Sequence, residues 1–248
     1  MSLTILSSDF QPRCFALVPC AGVGERAGAG GPKQYHTVAG KPMVAHTLAA
    51  LAQVPRIEAT LVVLSPDDQQ FEHRVPDFEG ERGWVARVGG ASRAESVSNG
   101  LSELMARGAS MLDWVLVHDA ARCLIRPEWV SALIDACEHD EVGGLLALPM
   151  ADTLKDSVAT PGDDHLPVTR VQSTVDRVGK WAAQTPQMFR LGLLRPALMS
   201  ALSDPESAVR VTDEASAVEA FGHQARLVTG ASENFKVTWT GDFDLAER

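Results

Sequence analysis

Between residues 15 and 35 the chain reads FALVPCAGVGERAGAGGPKQY, and no other stretch gathers so much material for chemistry. Its apolar run at 15–19 reads as a buried strand. The run opens into a loop holding Gly22, Gly24, Gly28, Gly30 and Gly31, with Arg26 and Lys33 set among them. Glycines let a backbone approach a ligand closely and take positive φ, so successive N–H groups can converge on an anion. Two cations in the same loop complete a cradle for a polyphosphate. The expectation is an enzyme that handles a nucleoside triphosphate.

Two other phosphate motifs fit less well. Gly22, Gly24 and Ala27 match the dinucleotide fingerprint G-x-G-x-x-G/A, but that motif needs a helix to begin inside the glycine run. Gly28, Gly30, Gly31 and Pro32 would break such a helix. The Walker pattern fails because Gly40-Lys41 is followed by Pro42 where Ser or Thr is required. A ligand-free glycine loop remains possible on pattern alone, and the flanking cations argue against it.

Ligands of open α/β sheets sit beyond the carboxyl ends of the strands. Residues just past the other predicted strand ends therefore extend the candidate site. They are Gly89, Gly90, Ser92, Arg93 and Ser96, then His118, Asp119, Ala120, Ala121 and Arg122, with Thr153, Lys155, Arg177, Thr185, Thr212 and Lys236 later. Cations and hydroxyls dominate, and no Ser-His-Asp set or all-protein metal cage is present. Asp119 is the acidic residue placed to matter. Among phosphates it would repel unless a divalent cation intervened, which points to Mg²⁺. A strand-end Asp that merely caps a turn is the plainer alternative. His118 reads as a structural histidine.

The elements that must position these groups alternate. Strands are predicted at 15–19, 59–64, 84–88, 114–117 and 143–148. Helices are predicted from Pro42 at N1 through 53, from a Ser92 cap to about 107, and from Pro127 to about 138. Alternation of this kind predicts right-handed βαβ units, hence an α/β fold with a mostly parallel sheet covered on both faces. Residues 152–184 break the rhythm and read as a polar two-stranded arm. Such a ribbon is only marginally stable alone, so it is either a surface excursion or a reach toward another subunit. Further on, a helix is expected at 191–201 and another capped by Thr212, with strands at 225–229 and 235–239 closing the sheet. The whole of 1–248 reads as a single domain.

Composition sets the outer limits. Hydrophobic residues make up 45% and charged residues 22% of 248, as in an ordinary globular protein. A net charge of −10 argues against a nucleic-acid-coating or membrane-binding surface. Cys14, Cys20, Cys123 and Cys137 form no C-x-x-C pair or zinc spacing and read as reduced thiols. No signal peptide or membrane-spanning run is recognisable, so a cytoplasmic location is expected.

The run PCAGVGERAGAGGPKQY resembles the P-A-A-G-x-G-x-R…P-K-Q-Y signature of the 2-C-methyl-D-erythritol 4-phosphate cytidylyltransferase family, which serves non-mevalonate isoprenoid synthesis. The likeness continues in the family's order through VGGASRAESV, VHDAARC, DTLK, TVDRVG, AQTPQ, VTDEASAVE and NFKVT, over essentially the whole chain. It implies a Rossmann-like nucleotidyltransferase fold with a protruding β-arm that interlocks a homodimer, Mg²⁺ dependence, and CTP as donor. It also implies catalytic roles for Arg26 and Lys33 on the triphosphate. Cys20, Ala21, Gly22, Gly24, Gly90, Ser96, Asp119 and Ala120 fall at nucleotide-binding positions. Arg122, Thr153, Arg177, Thr185, Thr212 and Lys236 fall where the family binds methylerythritol phosphate, with Lys236 counted among the nucleotide-binding residues too. Arg177 would serve the other subunit's site. This sequence departs from the family at Cys20, often Ala, at Ala91, often acidic, and at Cys123, usually Pro. Family members are sometimes fused to a cyclase, and these 248 residues are expected to leave no room for one.

The expected reaction is attack by the substrate's phosphate oxygen on the α-phosphorus of CTP, releasing pyrophosphate. A cytidylyltransferase for another polyol phosphate, such as ribitol 5-phosphate, is the nearest rival. A nucleotide-sensing module without catalysis and a hydride-transfer enzyme stand further off.

Overall fold

The computed structural model describes residues 11–22, 31–161 and 167–248. Its centre is a seven-stranded sheet in the order β11-β7-β10-β6-β1-β4-β5. The strands are β1 (Cys14–Pro19), β4 (Ile57–Val63), β5 (Gly83–Ala86), β6 (Trp114–Val117), β7 (Gly143–Pro149), β10 (Trp181–Arg190) and β11 (Arg226–Thr229). β1 lies in parallel register between β4 and β6, with Leu17 opposite both Leu61 and Val117. β4 pairs parallel with β5, and β11 with β7. Only β10 runs antiparallel to its two neighbours, β6 and β7.

Continuous apolar strands bury both faces. On one face Ala16, Val18, Val62 and Leu116 meet α1 (Met43–Ala52) and α4 (Pro127–Cys137) through Leu48, Leu51, Val130 and Leu133. On the other, Phe15, Leu17, Leu61, Val63, Val115 and Val117 meet Val97, Leu101 and Leu104 of α3 (Arg93–Ala106). Leu194 and Leu198 of α5 (Leu191–Leu202) and Val218 of α7 (Glu214–Ala220) join that second layer. The two-faced core agrees with the predicted α/β class. Short helices α2 (Phe71–Arg74), α6 (Pro205–Arg210) and α8 (Thr240–Ala246) were not anticipated from the pattern.

β2 (Thr37–Val38) and β3 (Lys41–Pro42) form a small hairpin whose turn, Ala39-Gly40, takes φ of 45° and 80°. Two positive-φ residues match the turn that follows strand twist, and Gly40 bears this at no steric cost. Pro42 thus ends a strand and stands before α1 instead of inside it.

Three other expectations fail, each for a visible reason. Residues 235–239 form no strand. Val237 N–H donates to the Ala121 carbonyl at 2.8 Å, and its side chain fills a small cluster with Val38, Met43 and Cys123, so the apolar alternation reflects local burial. The predicted arm stops short of 184, because β10 begins at Trp181 and enters the main sheet. Its buried Gln184, Thr185 and Gln187, together with Pro186, disguise it as a polar segment. Asp213, not Thr212, caps α7: its carboxylate accepts from Ser216 N–H while Ser216 Oγ accepts from Asp213 N–H.

The remaining ribbon, β8 (Leu154–Pro161) and β9 (Pro167–Val175), pairs only with itself as an antiparallel two-stranded sheet. Val158, Val168 and Val171 on it are exposed.

Candidate functional site

Parallel strands β1, β4, β5 and β6 end at one edge, and the segments leaving β1, β5 and β6 border a cavity of about 600 Å³. Its lining includes Cys20, Ala21, Gly22, Lys33, Gly90, Ser96, Asp119, Ala120 and Lys236. Every one of these was named from the sequence. Arg26 and Gly24 lie outside the described residues.

Each piece is held by the local chain. Cys20 N–H donates to the Val63 carbonyl at 2.8 Å, and Gln34 Nε2 donates to the Cys20 carbonyl at 2.9 Å, fixing where the glycine loop departs. The Cys20 thiol is buried, which pushes its pKa well up and leaves it no thiolate nucleophile. After β5, Gly89 and Gly90 pass too close to their neighbours for side chains. A Cβ on Gly89 would stand 2.4 Å from Ala21 Cβ, and one on Gly90 would stand 2.4 Å from Glu95 Cβ. Ser92 caps α3, its Oγ accepting from Glu95 N–H, and Ser96 Oγ accepts from Gly90 N–H at 3.1 Å. Ala91 brings no carboxylate, and its N–H is taken by Glu95 Oε2 at 2.7 Å.

Asp119 is the electrostatic centre. It is buried, and Arg93 Nε donates to its Oδ1 while Lys236 Nζ donates to its Oδ2, both at 2.8 Å. Burial alone would raise its pKa, but Arg93 and Lys236 outweigh that and hold the carboxyl far below the usual range. It is an anion at any working pH. Lys33 Nζ donates to the Val237 carbonyl at 3.1 Å, so Lys33 reaches across to the segment that carries Lys236.

Behind Asp119 sits a hydrogen-bond chain. Asp119 N–H donates to Thr185 Oγ1 (3.1 Å), so the hydroxyl proton points to His118 Nδ1 (3.0 Å) and His118 Nε2–H to the Arg122 carbonyl (3.2 Å). Burial lowers the His118 pKa to about 4, so the ring is neutral with both nitrogens engaged. His118 is structural, as its sequence context suggested, and is no general base.

The expected substrate-phosphate residues are less united. Thr185 is buried beside Asp119, with its proton committed to His118. Arg122 donates to the carbonyls of Asn234 (2.7 Å) and Ala183 (3.3 Å) and does not line the cavity. Thr212 is exposed before α7, Thr153 is exposed at the foot of the ribbon, and Arg177 donates to the Ala151 carbonyl there. The single chain does not bring Thr153, Arg177 and Thr212 to the cavity. Sequence reasoning passed over Glu214, whose buried carboxylate grips Arg93 through both oxygens; nothing but its position after Asp213 signalled it. It also left Arg93 without a role.

Among the described residues no group of three or more His, Cys, Asp or Glu could cage a metal. Mg²⁺, however, commonly takes one or two carboxylates with substrate phosphates and water, and each Asp119 oxygen retains a lone pair. The donor set fits an ion that arrives with a triphosphate.

A mostly parallel α/β sheet, with one buried carboxylate held by Arg93 and Lys236 on a cavity past its strand ends, is an arrangement suited to a nucleotidyltransferase. The model of the family described as IspD, 2-C-methyl-D-erythritol 4-phosphate cytidylyltransferase, matches residues 14–248. The chain belongs to that family. It is 54% identical over 235 residues to the 2-C-methyl-D-erythritol 4-phosphate cytidylyltransferase of Paraburkholderia phymatum, covering 95% of each chain. It is 56% identical over 243 residues to a bifunctional IspD/IspF enzyme of Albidiferax ferrireducens, covering 98% of this chain but 54% of that longer protein. The chain thus spans about half the length of that relative. A crystal structure of a 4-diphosphocytidyl-2C-methyl-D-erythritol synthase superposes with a TM-score of 0.79 at 36% identity, over 96% of this chain and 98% of that one. The Francisella tularensis cytidylyltransferase gives 0.75 at 29% identity, over 94% and 98%.

Proposed function

We propose that the chain condenses CTP with 2-C-methyl-D-erythritol 4-phosphate, giving 4-diphosphocytidyl-2-C-methyl-D-erythritol and pyrophosphate. The observation that carries this reading is the buried Asp119 held between Arg93 and Lys236 on a cavity that Lys33 also borders. The attacking phosphate oxygen is already ionised at neutral pH, so the neutral, fully bonded His118 is not needed as a base. A P–O bond forms at the α-phosphorus and the bond to the β-phosphate oxygen breaks. Lys33, with Arg26 by family resemblance, would offset charge on the α-phosphate oxygens, while Gly22 and Gly90 let the backbone come close. Mg²⁺, held by Asp119 and the triphosphate, would supply further charge neutralisation when bound.

The incomplete phosphate half of the site supports a second feature of the same reading. Thr153 and Arg177 stand at the foot of the exposed ribbon β8–β9 and would act at the site of a second copy in a homodimer. A cytoplasmic location is part of the same proposal; no helix among the described residues is long and apolar enough to cross a membrane. The test is pyrophosphate release with CTP, Mg²⁺ and methylerythritol phosphate, repeated with ATP, GTP or UTP and with ribitol 5-phosphate. Release only with the first combination is expected, and no release there would end the proposal.

A further inference from the structure

The cavity's charges are ordered from behind by a residue that does not line it. Glu214, the first residue of α7, is buried, and its two oxygens accept from Arg93 Nη1 at 2.7 Å and Nη2 at 3.1 Å. Arg93 then has only its Nε edge for Asp119, and it contacts one oxygen, Oδ1, at 2.8 Å. The other oxygen, Oδ2, receives Lys236 Nζ at 2.8 Å. Four charges from four parts of the chain therefore alternate in sign: Glu214 on α7, Arg93 on α3, Asp119 after β6, and Lys236 in the 231–239 segment.

A guanidinium carries two forks, Nη1–Nη2 and Nε–Nη2, and can meet a carboxylate through either. Glu214 holds the first and so sets the angle at which Arg93 meets Asp119, through Nε alone. Released from Glu214, Arg93 would be free to turn, take both oxygens of Asp119 and compete with Lys236 for Oδ2. Both Glu214 oxygens face guanidinium donors, which fits a carboxylate and not an acid. We propose that Glu214 is a positioning residue, occupying the fork of Arg93 so that one Asp119 oxygen stays reserved for Lys236 and the Lys236 ammonium is set at the cavity rim. A plain structural role, tying α7 to α3, is the alternative. It predicts lost stability with Lys236 undisturbed in whatever remains folded.

The consequence for turnover rests on the cytidylyl-transfer reading, but the geometric claim is tested without it. The full chain has five lysines, Lys33, Lys41, Lys155, Lys180 and Lys236. With lysine labelled at Cε with ¹³C, and Lys236 assigned from Lys236→Arg, Glu214→Gln should move the Lys236 resonance and leave Lys41, Lys155 and Lys180 in place. A folded Glu214→Gln protein with an unmoved Lys236 resonance would overturn the proposal. Should that variant not fold, Glu214→Asp keeps the charge but is too short to fill the fork, and it should move the same resonance. In turnover, Glu214→Gln should lower kcat/KM for the sugar phosphate about tenfold, the size of one lost charged hydrogen bond. The same change made on Lys236→Met should cost less than about twofold, because coupled residues are not additive. A full loss retained on Lys236→Met would also overturn it. Wild-type protein that releases no pyrophosphate would sink the functional reading alone, leaving the lysine spectra to judge Glu214.

Discussion

Lys236 Nζ and Asp119 Oδ2 meet at 2.8 Å, joining the irregular 231–239 segment to the end of the central strand β6. The contact places a cation and the cavity's carboxylate side by side at the rim proposed to take the triphosphate. It also explains why 235–239 alternates in polarity without being a strand. Val237 points into a small apolar cluster while Lys236 points to Asp119. Asp119→Asn should leave two partly buried cations short of their partner. A loss of about 1–3 kcal/mol is expected, less than for a fully buried pair because Lys236 is partly open to water and Arg93 keeps Glu214. Urea denaturation measures it, and an unchanged midpoint would show the pair to be inert.

Lys33 tests the catalytic assignment. It is half-buried, its Nζ hydrogen-bonds the Val237 carbonyl, and it sits in a short 3₁₀ turn (Lys33–Tyr35) outside the sheet core. Lys33→Ala should lower turnover at least about a hundredfold, the effect of losing one preorganised donor of about 3–4 kcal/mol. Thermal melting should change little. Steady-state pyrophosphate release gives the answer, and near-normal turnover would remove Lys33 from the chemistry.

His118 should leave a signature in stability against pH. Its folded pKa is lowered to about 4 by burial, against about 6.5 for an unperturbed ring. The unfolded chain therefore binds a proton over that window and the folded chain does not. Stability from this group is complete above about pH 6.5 and is lost as pH falls toward 4, amounting to about 2 kcal/mol by pH 5. Asp119, held far lower, does not titrate in this window. His118→Gln keeps one acceptor and one donor without titrating. Its urea midpoint should lack the wild-type slope between pH 6.5 and 5, and an identical slope would mean that another group is responsible.

Much of this site was legible because its chemistry is written at strand ends. The apolar runs around Leu17, Leu61 and Val115 specify strands buried on two faces, and residues directly after them fall at one edge whatever the loops do. Gly22, Gly90, Lys33 and Asp119 could therefore be gathered from the sequence. β10 was hidden because Gln184, Thr185 and Gln187 are polar yet buried, satisfied by partners distant in sequence such as Asn234, Asp119 and Asp213. Glu214 was hidden for the same reason, since its partner Arg93 lies on another helix. Periodicity reports which face a residue takes, and it is silent on which charge waits there.

Gly89 offers a steric test of that edge. A Cβ there would meet Ala21 Cβ at 2.4 Å and the Leu64 carbonyl oxygen at 2.7 Å, and a backbone atom cannot give way cheaply. Gly89→Ala should displace the turn before Ser92 and push on Ala21 at the cavity wall. Overpacking of this kind costs typically about 1–3 kcal/mol. CTP affinity by calorimetry should weaken along with the melting temperature. Unchanged affinity in a folded variant would show that the turn can shift without disturbing the nucleotide.

The ribbon β8–β9 carries the last test. Among the described residues its strands pair only with each other, and Val171 on it is 65% exposed with Val158 and Val168 also open. A two-stranded sheet without a third layer is marginal in water, so its apolar side chains have a reason to find a second copy. Val171→Glu adds a charge that a subunit interface would have to desolvate, while a lone ribbon would leave it in water. The variant should shift from dimer to monomer in light scattering at micromolar concentration. If the proposed homodimer holds, it should also lose turnover, because Thr153 and Arg177 at the ribbon's foot would no longer be carried to the other copy's cavity. Mixing it with a Lys33→Ala protein separates the two effects. Activity regained in the mixture would mean that arm and cavity come from different chains, whereas a fully active monomer would refute the shared site.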